Sequence, residues 1–142
     1  MTEKILLVDD EADFLEVLSE RMRARGMDVT TSASAQQALE AVDEGAFDAV
    51  VLDLMMPGMD GLEALRILKE KDPKLQVILL TGHATVKQSV EAMKRGALDL
   101  LEKPTDIDTL TKKIKEASAE RMLLVSREAE EKIKNILSTK GW

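Results

Sequence analysis

The sequence predicts an α/β fold: a doubly wound, five-stranded parallel sheet in the order 2-1-3-4-5, with an extended C-terminal helix. Three observations carry this expectation. Five short apolar runs alternate with segments of helical periodicity, the pattern of strands joined by crossover helices. The runs are nearly continuous in apolar residues, as strands covered on both faces are. Four of the five end on conspicuous polar groups, Asp9-Asp10, Asp53, Thr81 and Lys103, and Thr31 adds a weak fifth. The C-terminal edge of such a sheet is where ligands bind.

Taken in order, Lys4 to Val8 is the first strand, ending in Asp9-Asp10-Glu11. Phe14, Leu15, Leu18 and Met22 fall at helical spacing, and Gly26 stops that helix. Met27 to Thr31 is a short β-branched run. Ser34 is positioned to cap a helix with Ala35, Ala38, Leu39 and Val42 on one face, closed by Gly45. Phe47 to Leu52 is the third strand. Leu62, Leu65 and Leu68 form the inner face of the third helix, which Asp72-Pro73 terminates. Leu75 to Leu80 is the fourth strand. Val86, Val90 and Met93 mark the fourth helix, closed by Gly96, and Ala97 to Leu101 is the fifth strand. A last helix begins near Thr105 or Asp106. Residues 1–118 read as the sheet domain and 119–142 as a helical extension that can run on from the last domain helix.

The composition narrows the class. The chain has 142 residues, 44% of them hydrophobic, with two Phe, one Trp and no Tyr, so the core must be aliphatic and filled out by its eight Met. It has no cysteine, which fits a reducing compartment, and its N-terminal apolar run is too short for a signal peptide or a membrane span. A cytoplasmic protein without membrane attachment is expected. The net charge of −7 argues against nucleic-acid binding by the globular part. Residues 106–142 hold eight Lys/Arg and seven Asp/Glu, so the acidity belongs to the body.

In the predicted strand order, strands 1 and 3 are neighbours, and Asp9, Asp10 and Asp53 converge at one sheet edge with Thr81 and Lys103. Three close carboxylates repel one another, each pair by a few kcal/mol at an effective dielectric of about 20. A hard divalent cation relieves this, and an oxygen-only donor set favours Mg²⁺ or Mn²⁺ over Zn²⁺. A metal, a lysine and a threonine hydroxyl together suit a phosphoryl group. Asp53 is then the expected nucleophile, forming an acyl phosphate. Asp10 and Asp53 would hold the metal, with Asp9 acting directly or through water and the Met55 backbone carbonyl as a further ligand. Lys103 would pair with the phosphoryl charge, and Thr81 would donate a hydrogen bond to it. The plainer alternative, that the three aspartates are helix caps and loop carboxylates, would leave Lys103 and Thr81 as coincidences.

Four stretches carry a resemblance. Ile5-Leu6-Leu7-Val8-Asp9-Asp10-Glu11, the loop Leu52-Asp53-Leu54-Met55-Met56-Pro57-Gly58-Met59-Asp60-Gly61, Thr81-Gly82-His83 and Glu102-Lys103-Pro104 stand in the order and spacing of the response-regulator receiver family. The chain resembles that family over roughly residues 3–118, and from Thr81 to Pro104 it is most like receivers that precede AAA+ transcription activators. The resemblance implies the flavodoxin-like receiver fold and phosphorylation of Asp53 by a sensor histidine kinase or a histidine phosphotransfer protein, with Mg²⁺ required. It implies slow self-dephosphorylation rather than metabolic catalysis. It also implies a cis bond at Lys103-Pro104 and a switch in protein contacts through helix 4, strand 5 and helix 5. No DNA-binding or enzymatic output domain is expected within these residues, so output would pass to a downstream protein or through the tail.

One position departs from the family pattern. Many receivers carry an aromatic residue three before the lysine, coupled to the threonine; here it is Leu100. A rotating phenol cannot be the switch, although Thr81 can still move while Leu100 repacks. Moving such an equilibrium from 1:99 to 99:1 takes on the order of 5.5 kcal/mol of differential stabilisation. His83, the sole histidine, lines the phosphorylation site in receivers and can tune dephosphorylation there; on its residues alone it reads as a surface loop residue. Met55 and Met56 have the bulk to screen hydrolytic water from Asp53.

Two other readings compete. A Mg²⁺-dependent aspartyl-nucleophile phosphohydrolase of the haloacid-dehalogenase kind wants a carboxylate two residues after the nucleophile, where this chain has Met55. A phosphorylation-independent, receiver-like adaptor would not need the complete set of site residues. In the tail, no Pro or Gly interrupts Asp106 to Ser138, and a continuous helix of that length spans roughly 50 Å at 1.5 Å per residue. Ile107, Leu110, Ile114 and Ala117 would dock on the sheet. Met122, Val125, Ala129, Ile133 and Ile136 continue the stripe, and the eleven-residue spacing of Ile114, Val125 and Ile136 fits a straight helix better than a heptad seam. A homodimer through this helix is the first expectation, with a fold-back, a break near Ser118 or a linker as alternatives. Trp142 carries no signal.

Overall fold

The computed structural model describes residues 2–139, so Trp142 and the end of the 119–142 extension lie outside the described residues. The elements are β1 (Lys4–Val8), α1 (Ala12–Ala24), β2 (Asp28–Ser32), α2 (Ala35–Glu44), β3 (Ala49–Leu52), α3 (Gly61–Lys71), β4 (Gln76–Thr81), α4 (Val86–Lys94), β5 (Asp99–Glu102) and α5 (Ile107–Thr139). All four strand pairings are parallel, in the order β2-β1-β3-β4-β5. The fold class and strand order are those the sequence predicts.

The two-residue side-chain period of the strands builds two cores. Leu6, Val8, Val50, Leu52, Val77 and Leu79 face one layer with α2, α3 and α4 residues such as Ala38, Leu65, Leu68 and Ala92. Ile5, Leu7, Val51, Ile78 and Leu80 face the other, with Leu15 and Met22 of α1 and Leu110, Ile114 and Ala117 of α5. Each large aliphatic side chain so buried contributes about 1.5–3 kcal/mol. That both faces are covered explains why the runs read as continuous apolar stretches.

The departures from expectation lie at element ends. β2, β4 and β5 start and end one or two residues later than their apolar runs. β3 begins at Ala49 rather than Phe47, because the Asp48 N–H donates to the Lys4 carbonyl at 2.8 Å while its carboxylate accepts from the Lys4 N–H at 2.8 Å, which closes the turn into the sheet. Ala97 belongs to the stop of α4, its N–H donating to the Ala92 carbonyl. In α4 the apolar residues that mark the helix in the sequence are not the ones it buries. Val86, Val90 and Met93 are exposed, and Ala92 is the buried residue, a small side chain on the helix's inner side.

α5 continues unbroken past Ser118 to Thr139. Asp106 starts it, its carboxylate accepting from the Thr109 N–H at 2.7 Å and the Thr109 hydroxyl at 2.9 Å. Beyond the sheet, Arg121 pairs with Asp72 at 2.8 Å, and Lys74 pairs with Glu128. Both partners belong to the α3–β4 connection, so this loop holds the emerging helix. Met122, Val125, Ile133 and Ile136 lie exposed along it.

Candidate functional site

Parallel pairing places Val8 beside Leu52 and Thr81 beside Glu102, so the residues that follow these strand ends gather at one edge. The ladder holds each aspartate by its backbone: the Asp9 N–H donates to the Ser32 carbonyl at 3.2 Å and the Asp53 N–H to the Val8 carbonyl at 3.0 Å. Their side chains cap the loops that follow. Asp9 Oδ1 accepts from the Glu11 N–H at 2.9 Å, and Asp53 Oδ1 accepts from the Met55 N–H at 3.0 Å. The β3–α3 loop turns at Gly58, whose φ of +87° favours glycine. It closes at Gly61, where a Cβ would come within 2.5 Å of the Leu54 carbonyl oxygen.

One carboxylate oxygen from each of Asp9, Asp10 and Asp53 lies within 4.8 Å of the others. Asp9 and Asp53 are buried and Asp10 is exposed. Lys103 reaches across from the end of β5. Its Nζ donates to Asp9 Oδ2 at 2.5 Å and stands 3.5 Å from Asp53 Oδ2 and 3.6 Å from Glu11 Oε1. The Lys103-Pro104 peptide is cis. Thr81 is fully buried at the end of β4, its hydroxyl donating weakly to the His83 carbonyl at 3.4 Å. His83 and Met55 are exposed at the rim, and the Gln88 amide approaches Met55 Sδ at 3.9 Å. Leu100 is partly buried against the α2–α4 core layer.

The electrostatics follow from this packing. Burial pushes the Asp53 carboxyl above its ordinary range; the Met55 N–H and Lys103 oppose this, and Asp9 adds to it. Burial alone would lower the Lys103 pKa, but the Asp9 hydrogen bond and the charges of Asp53, Asp9 and Glu11 outweigh it and raise it. A buried carboxylate with a raised pKa, beside a partly buried cation and two more carboxylates, is under-neutralised. The donor set is oxygen only and fits a hard divalent cation.

The structure thus brings together Asp9, Asp10, Asp53, Thr81 and Lys103, and sets Met55 and His83 at their rim. Leu100 stands apart, in the core. Reading the sequence did not single out Glu11 as a partner of Lys103, nor Phe14, whose ring centroid lies 4.1 Å from Lys103 Nζ. Their positions at the start of α1, just after the paired aspartates, were the available signal.

Comparison with known proteins identifies the family of the fold that carries this site. The family model for the response regulator receiver domain matches residues 5–115. The chain is 40% identical over 115 residues to the transcriptional regulatory protein ZraR of Escherichia coli, an alignment covering 81% of this chain but 26% of ZraR. It therefore spans about a quarter of that relative's length. Among solved structures, a receiver domain protein from Clostridium thermocellum superimposes with a TM-score of 0.82 at 34% identity, covering 86% of this chain and 98% of the other. The beryllofluoride-activated NtrC4 receiver domain dimer superimposes with a TM-score of 0.78 at 35% identity, covering 83% and 98%.

Proposed function

The chain belongs to the response-regulator receiver family, and on that premise we propose that it accepts a phosphoryl group on Asp53 from a phosphohistidine of a sensor histidine kinase or a histidine phosphotransfer protein. The observation that carries the reading is the buried Asp53 carboxylate, flanked by Lys103 at 3.5 Å and by two further carboxylates within 4.8 Å. Asp53 attacks phosphorus, an O–P bond forms as the P–N bond of the donor breaks, and the imidazole leaves with the electron pair. The Met55 N–H bond to Oδ1 fixes the carboxylate so that Oδ2 is the oxygen left toward Lys103. Lys103 stays charged and moves its ion pairing from the carboxylates to the phosphoryl oxygens, and Thr81 moves its hydroxyl from the His83 carbonyl to the same group.

Asp9, Asp10, Asp53 and the Met55 carbonyl would hold Mg²⁺, with Mn²⁺ as a substitute. The bound cation would supply charge neutralisation for three carboxylates and the incoming phosphoryl group. Met55 and His83, exposed at the rim, set how readily water reaches the acyl phosphate. The outward face of α4 with β5 and α5 passes the signal to a downstream protein; Val86, Val90 and Met93 give it an apolar surface. The same side of α5 that packs on the sheet through Ile114 emerges beyond it as Val125 and Ile136. A second copy of the chain is its proposed occupant, as the dimeric NtrC4 receiver encourages.

Intact-mass analysis after incubation with acetyl phosphate and Mg²⁺ tests the reading. One added phosphoryl group in wild type, lost with chelator and absent in Asp53→Asn, is the expected result. An equal gain in Asp53→Asn would sink it.

A further inference from the structure

Lys103 is the one cation among the site residues, and its surroundings are uneven. Asp9, Asp53 and Glu11 approach its ammonium on the carboxylate side. On another side stands the ring of Phe14, its centroid 4.1 Å from Nζ. This is well inside the distance of about 6 Å at which a cation is attracted to an aromatic face. Phe14 is one of only two Phe in a chain without Tyr, and its half-buried ring reaches the sheet edge from the third residue of α1. Apolar filling alone would be served by Leu, which the chain uses for most other large core positions.

We propose that Phe14 is a positioning residue for Lys103: its ring face holds the ammonium over the Asp53 carboxylate while the cation exchanges one anion for another. The resting carboxylate bonds are directional, and the shortest, to Asp9, draws Nζ away from Asp53. A ring face attracts the cation without demanding a particular N–H direction. It therefore keeps Lys103 in place as its hydrogen bonds pass from Asp9 to the phosphoryl oxygens. Without it, the side chain is held only by the carboxylates and is free to stay with Asp9 or to extend toward Glu11 at the exposed rim. A pocket of about 200 Å³ lies beside the ring, bordered by Leu18 and Pro104, so truncation leaves Lys103 room to turn away.

The inference rests on Asp53 being the phosphoacceptor, and the test separates the two. Acetyl phosphate is the donor, because a small molecule needs no protein docking face. The full chain is compared as wild type, Phe14→Leu, Phe14→Tyr and pentafluorophenylalanine at position 14, which keeps the shape and removes the attractive ring face. The expected result is a fall of about fivefold in the saturating phosphorylation rate for Phe14→Leu and for the fluorinated chain, with Phe14→Tyr near wild type. The apparent KM for acetyl phosphate should change less than the rate. NMR should show the Lys103 ε-methylene protons shifted upfield by the ring in wild type and Phe14→Tyr, but not in Phe14→Leu. Wild-type rates in both Phe14→Leu and the fluorinated chain would overturn the positioning role, as would an unshifted ε-methylene in wild type. A wild-type chain that takes up no phosphoryl group at all would instead overturn the phosphoacceptor reading, and this inference with it.

Discussion

Replacing Asp53 by Asn should make the metal-free protein more stable at neutral pH. The carboxylate stands 3.5 Å from Lys103, an attraction of about 5 kcal/mol at an effective dielectric of about 20, and within 4.8 Å of the buried Asp9, a repulsion of about 3.5 kcal/mol on the same basis, to which the exposed Asp10, screened by solvent, adds less. These nearly offset. What remains is the cost of holding a charge at a site only 5% exposed, on the order of 1–3 kcal/mol. Asn keeps the acceptor for the Met55 N–H and removes that cost. The sign over pH follows from the raised Asp53 pKa. Below the ordinary Asp value of 3.8 both states bind the proton. Above it the unfolded chain loses the proton first, so wild-type stability falls relative to Asn as pH rises through the folded pKa. Chemical and thermal unfolding in chelator between acid and neutral pH should show the two proteins converging at low pH. At neutral pH Asn should melt higher, by about 2–4 °C per kcal/mol. Added Mg²⁺ should stabilise wild type more and close the gap. An Asp53→Asn protein less stable than wild type at neutral pH in chelator would refute the electrostatic account.

Other consequences follow from the packing. Gly61→Ala should destabilise the fold by about 2 kcal/mol or more, because its Cβ would meet the Leu54 carbonyl at 2.5 Å; it should also slow phosphorylation by shifting the Asp53 loop, and an unchanged unfolding midpoint would contradict this. Arg121→Ala removes the half-buried pair with Asp72 and should raise hydrogen exchange in residues 119–128 while leaving the sheet protected. Deleting residues 120–142 should abolish dimerisation but spare phosphorylation, and sedimentation showing an unchanged dimer would exclude the helix as the interface.

The fold was legible because burial on both faces writes the central strands β1, β3 and β4 as nearly unbroken apolar runs, and because four of the five runs end on conspicuous polar groups at the ligand edge. Asp9, Asp10, Asp53, Thr81 and Lys103 could be brought together from topology alone. Element ends were less legible, since single hydrogen bonds decide them; Asp48 clasping Lys4 is one such case. The inner face of α4 was not legible because Ala92, a small residue with little weight in a hydrophobic pattern, is what it buries, while its larger apolar residues are exposed. Phe14 was hidden for the opposite reason. Its periodicity marks it as a core residue, and it does pack in the α1–α5 layer, but its contact with Lys103 spans most of the chain. The absence of Pro and Gly allowed a continuous tail but did not decide it against a break near Ser118. Its anchoring by Asp72 and Lys74 was not legible, because ion pairs between segments distant in the chain leave no pattern.

The proposed phosphoryl group on Asp53 is an acyl phosphate. Borohydride reduction of the phosphorylated chain, followed by peptide mapping, tests it most directly, since hydride converts an acyl phosphate to the corresponding alcohol. Conversion of Asp53 to homoserine, dependent on prior phosphorylation and on Mg²⁺, is the predicted result. Reduction at another carboxylate, or a phosphoryl group resistant to hydride and found on a hydroxyl or on His83, would contradict it.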